Sequence, residues 1–126
     1  MLTLEDFTEM MNEIYADLPE DLLAGLNLGI IIEEGSKLHS EAIDGDLFVL
    51  GEYRHGPMGS GIVIYYGSFS RLYPSLSVGE WAVKAREVLY HELRHHLERK
   101  AKNIDLELED ARMIEEYKQK KKAGRG

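Results

Sequence analysis

The sequence predicts an α+β domain, a small mixed β-sheet of about three strands packed on a long helix with flanking helices. Three observations predict it. Apolar residues recur at helical spacing near the N-terminus and again from Val78 onward. Three β-branched or aromatic runs lie between these stretches. The resulting order, a helix, three strands and then two helices, reads as α+β.

Thr3 opens the first helix, a capping hydroxyl three residues before Asp6. Leu4, Phe7, Met10, Met11, Ile14, Tyr15 and Leu18 follow at helical spacing, and Pro19 ends the pattern. A short helical turn is expected over 19–26. Leu28–Ile32 reads as a buried strand, and residues 36–45 as a polar loop with His39 on the surface. Leu47–Tyr53 reads as a second strand, 54–61 as a glycine-rich turn, and Ile62–Tyr66 as a third strand able to pair with the second as a hairpin. That turn lacks the spacing of a phosphate cradle. Residues 67–74 form a short helical turn stopped by Pro74.

Ser77-Val78-Gly79-Glu80 is a capping box. It starts a long helix expected to run to about Asn103. Val78, Ala82, Ala85, Leu89, Leu93 and His96 share one stripe of it. Asp105 is expected to cap a final helix from Leu106 to about Lys121. No linker or repeat divides the chain, so residues 1–117 read as a single domain and 118–126 as a basic, frayed tail.

The formal net charge is −8, with 13 acidic and 2 basic residues in positions 1–60 and 10 acidic and 13 basic in 61–126. That balance speaks against a nucleic-acid surface. No apolar run has the length of a membrane span, and the acidic N-terminus is unlike a signal peptide, so the expected location is the cytoplasm. The chain has no cysteine, which leaves His and carboxylates as metal ligands.

His91-Glu92-Leu93-Arg94-His95 is the H-E-x-x-H zinc signature. In a helix His91 and His95 lie one turn apart on one face, spaced to grip one zinc ion. Glu92 is rotated by about 100° from His91 and stands beside the metal, where it acts as general base. The expected chemistry is peptide hydrolysis by water activated on zinc, with the scissile carbonyl polarised by the ion. A third, acidic ligand is expected from the residues that follow. His96 lies on the apolar stripe and reads as a packed, hydrogen-bonded structural histidine. A peptide substrate would lie along an exposed strand, Ile62–Tyr66, by strand addition.

With these residues the chain resembles a family of compact bacterial proteins described as zinc metallopeptidases with a zincin-like fold. The resemblance spans most of 1–117. It rests on His91-Glu92-Leu93-Arg94-His95-His96-Leu97 and on Leu50-Gly51-Glu52-Tyr53-Arg54-His55-Gly56-Pro57. The family pattern is H-E-x-x-H-x-x-G-x-x-D. Here Glu98 stands in place of its glycine and Ala101 in place of its aspartate. The resemblance therefore implies a third ligand from the next acidic cluster, with Asp105 favoured over Glu109 and Asp110. It implies zinc as cofactor and a peptide or protein as substrate. The competing expectation is a catalytically inactive binding module that keeps the zincin fold, with or without metal. A metal-dependent nuclease is disfavoured by the acidic charge and by Glu92 at the second motif position.

Overall fold

Helix α1 (Leu4–Ala16) begins where the sequence places it, with the Asp6 backbone N–H donating to Thr3 Oγ1 at 3.1 Å. Its inner face buries Phe7, Met11 and Ile14. The computed structural model describes residues 2–124, and these fall into two units, Met1–His96 and Leu97–Gly126.

The first unit continues through a one-turn helix, α2 (Glu20–Leu23), to five strands. These are β1 (Gly29–Glu33), β2 (Lys37–Leu38), β3 (Phe48–Val49), β4 (Gly51–Gly56) and β5 (Gly59–Tyr65). A short helix, α3 (Tyr66–Leu72), leads to the long helix α4 (Val78–Ala123). The main sheet has the order β1-β5-β4 and is mixed, with β1 parallel and β4 antiparallel to β5. β2 and β3 form a separate antiparallel pair.

The strand expected over Leu47–Tyr53 is therefore two strands. Phe48 and Val49 pair with Leu38 and Lys37 from the segment expected to be a plain loop. The chain joins the main sheet at Leu50, whose carbonyl accepts from the Tyr65 N–H at 2.9 Å. The hairpin between β4 and β5 is tighter than expected, because Gly56 pairs with Gly59 and only Pro57 and Met58 remain as the turn. Gly59 has φ of +125°, and a Cβ there would lie 2.0 Å from Asn27 Oδ1. The Asn27 side chain secures this turn, accepting from Ser60 N–H at 2.9 Å and donating to the Met58 carbonyl at 3.1 Å.

A second correction concerns Ile62–Tyr66. This segment is not an exposed strand: β5 is central, and Ile62, Val63 and Ile64 are fully buried. Two neighbours occupy its backbone hydrogen bonds, so no peptide can add to it. The edges are β1 and β4, so the run expected to be a buried strand lies at an edge, with Leu28 and Ile31 exposed.

The core lies between this sheet and the helices. Phe7 packs against Phe69 and Trp81 at ring-centroid distances of 5.1 and 5.8 Å. The Trp81 indole N–H donates to the Tyr73 carbonyl at 2.9 Å. Of the stripe expected of α4, Ala85, Leu89, Leu93 and His96 are buried, Ala82 is half-buried and Val78 is exposed. The capping box forms in both directions, Glu80 N–H to Ser77 Oγ and Ser77 N–H to Glu80 Oε1, each at 3.2 Å.

α4 does not stop near Asn103. It is one helix of 46 residues, with Asp105 inside it rather than capping a new one. No Gly or Pro occurs between Glu80 and Ala123, so nothing in the chain breaks it. The second unit, from Leu97, is the later part of this helix, and every residue from Ala101 to Gly124 is exposed. The basic tail expected to fray is helical from Lys118 through Ala123, while Arg125 and Gly126 lie outside the described residues. No helix among the described residues is long and apolar enough to cross a membrane.

Candidate metal centre and adjoining cleft

α4 carries the site because its two faces have different jobs. Leu89, Leu93 and His96 point into the core, while His91 and His95 remain exposed on the other side. Their rings are perpendicular, with centroids 4.9 Å apart. Glu92 sits between the two faces and is 8% exposed. One ligand atom from each of His91, Glu92 and His95 lies within 4.8 Å of the others, so the three side chains can meet at one ion. The donor set, two imidazoles and a carboxylate, is one that a divalent metal ion can take.

Burial raises the Glu92 carboxyl above its ordinary value, and the nearby Glu52 charge adds to that. His91, His95 and a hydrogen bond from the Tyr53 backbone N–H oppose the shift without cancelling it. A carboxylate with a raised proton affinity is better suited to take up a proton than an ordinary one. Tyr53 belongs to the edge strand β4, so a strand backbone orients the carboxylate of the motif.

The Tyr53 side chain makes a second tie to the same helix. Its hydroxyl lies 2.8 Å from His96 Nδ1, and His96 Nε2 lies 2.9 Å from the Ala24 carbonyl. A carbonyl only accepts, so Nε2 carries the proton, and in the neutral ring Nδ1 accepts from the Tyr53 hydroxyl. His96 is fully buried and both ring nitrogens are engaged, as a structural histidine should be.

A cleft of about 360 Å³ adjoins the cluster. Phe48, Val49, Leu50 and Gly51 form one wall, and Val88, His91 and Glu92 of α4 contribute the other. His39, expected only as a surface residue, also lines it. The two walls come close because residue 51 is glycine: a Cβ there would stand 2.8 Å from Val88 Cγ1. Lys84 and Glu87, also at this cleft, pair at 3.2 Å.

Beside the cluster, β4 carries a charged network that the sequence reading did not find. Glu52 accepts from Lys37 Nζ at 2.7 Å, Arg54 Nη2 at 2.8 Å and the Tyr65 hydroxyl at 2.7 Å. Partial burial works against the Glu52 charge, but these hydrogen bonds outweigh it and hold the carboxyl down to about 2. The alternation Glu52-Tyr53-Arg54 in a strand was the available signal, since it places Glu52 and Arg54 on one face and Tyr53 on the other.

The structure thus brings His91, Glu92 and His95 together. Asp105 is not in that cluster, nor are Glu109 and Asp110; all three are exposed residues of the second unit. No protein-family model matches the sequence, and no curated protein matches it. Among solved structures, a conserved hypothetical protein from T. thermophilus is 32% identical and superposes with a TM-score of 0.71, over 80% of this chain and 99% of its own. At that identity and extent, this chain belongs to the same family as the conserved hypothetical protein of T. thermophilus.

Proposed function

We propose that the protein is a zinc-dependent peptidase in which His91 and His95 hold the metal and Glu92 is the general base. The observation that carries this reading is the convergence of the three side chains within 4.8 Å beside a cleft. Bound there, zinc would supply Lewis acidity toward the scissile carbonyl. The chain's own residues do the rest. Tyr53 N–H orients the Glu92 carboxylate, and burial raises its proton affinity so that it can take a proton and later return it to the leaving amine. The apolar wall of Phe48, Val49, Leu50 and Val88 receives a substrate side chain.

A second reading rests on the same cluster. If Glu92 serves as the third ligand, no base remains, and the protein is a metal-binding module with the same fold. One experiment separates the two: metal content and peptide-library cleavage of the zinc-loaded full chain. The peptidase reading expects about one zinc per chain, as a single catalytic site requires. It expects His95→Ala to lose the metal, and Glu92→Gln to keep it while cleavage is lost. Metal loss in Glu92→Gln, with no cleavage by the unaltered protein, establishes the second reading instead.

A further inference from the structure

The second unit carries a pattern the site does not use. Residues 105–110 include Asp105, Glu107, Glu109 and Asp110 and no basic residue. Residues 117–122 include Lys118, Lys120, Lys121 and Lys122 and no acidic residue. Both blocks lie on one continuous helix, on either side of Met113 and Ile114. Leu106, Met113, Ile114 and Tyr117 fall at i, i+7, i+8 and i+11, with Asp110 and Lys121 on the same stripe. These four apolar side chains are 51%, 57%, 56% and 61% exposed.

We infer that this stripe is a homodimer interface, formed by antiparallel pairing of two copies of the second unit. The charge order selects both partner and direction. A parallel pair would set acidic block on acidic block and basic on basic, which is repulsive along its length. An antiparallel pair centred between Met113 and Ile114 lays the acidic block 105–110 of each copy alongside the basic block 117–122 of the other. At the two-fold axis Met113 and Ile114 of the two copies pack together. On either side Asp110 faces Tyr117, and Leu106 covers the aliphatic stem of Lys121. The overlap, residues 104–123, runs about 30 Å at about 1.5 Å per residue. A helix this exposed has little to hold it beyond propensity, and pairing would bury its apolar stripe.

The test uses the full chain in analytical ultracentrifugation. The expected species is a dimer of about 29 kDa, twice the 14.4 kDa chain, whose association weakens at least tenfold in high salt. Changing Lys118, Lys120, Lys121 and Lys122 to Glu yields a monomer. So does changing Asp105, Glu107, Glu109 and Asp110 to Lys. Mixing these two variants restores a dimer, because each supplies the charges the other lacks. The absence of native cysteine permits a second test that needs no charge change. Under oxidation Met113→Cys cross-links to a dimer, while Glu107→Cys does not, because it lies alongside the basic block of the other copy. A monomeric unaltered chain overturns the interface, and cross-linking by both cysteine variants overturns its antiparallel direction.

Discussion

The hydroxyl of Tyr53 lies 2.8 Å from Nδ1 of His96, and the backbone N–H of the same tyrosine binds Glu92 one helical turn earlier. One residue of β4 therefore grips α4 at two successive turns. The buried His96 passes the connection on to the Ala24 carbonyl, so strand, motif helix and the loop after α2 are tied at one point. The motif's glutamate and its structural histidine thus share a single support.

Tyr53→Phe tests that support. It keeps the ring but leaves His96 Nδ1 without its donor in a fully buried position. The expected cost is about 1–2 kcal/mol, the penalty of one unsatisfied buried polar atom, read from urea denaturation. A stability unchanged from the parent protein would show that the bond contributes nothing.

Gly51→Ala tests the closeness of the cleft walls. The new methyl meets Val88 Cγ1 at 2.8 Å, and a β-branched side chain has little freedom to move aside. The expected loss is about 1–3 kcal/mol, as for overpacking elsewhere. Adding Val88→Ala should recover part of it in thermal melts. Additive losses in the double variant would place the strain elsewhere.

Glu52 governs the acid limb of stability. Its folded value is depressed from 4.5 to about 2, so its contribution is present above the unfolded value and is lost as pH falls from about 4.5 toward 2. Because the side chain is 27% exposed and solvent screens the pairs, the contribution is on the order of 2 kcal/mol rather than the full shift. Glu52→Gln should flatten the stability curve across that window. Parallel curves for the two proteins would remove Glu52 from the account.

Glu92 has the opposite sign. Its folded value is raised, so the protonated form favours folding; that stability is complete below the unfolded value and is lost as pH rises through the folded one. Above the folded value the metal-free protein therefore bears a buried charge. Metal-free Glu92→Gln should be the more stable protein at neutral pH, and the gap should close in acid below 4.5. A variant less stable than the parent at neutral pH would contradict the burial argument.

Much of the site could be read from the chain because it is local. His91 and His95 share a face through helical periodicity alone, Leu89, Leu93 and His96 share the other, and the Ser77–Glu80 box starts the helix within four residues. The errors were those that local pattern cannot prevent. Ile62–Tyr66 and Leu47–Tyr53 both read as strands, but nothing in either run states which is central. The end of α4 was misplaced because Asp105 is a good cap and an acceptable helix residue alike.

By itself, then, the sequence determined the α+β composition, the motif helix with its cap and stripe, and the paired histidines beside Glu92. Tertiary structure decided that β5 is central and β4 an edge, that Tyr53 holds both Glu92 and His96, and that a cleft opens along Phe48–Gly51. The physical reason is sequence separation. Helical spacing is set within a turn, whereas the bonds from His96 to Tyr53 and to Ala24 span 43 and 72 residues and exist only once the chain has closed on itself.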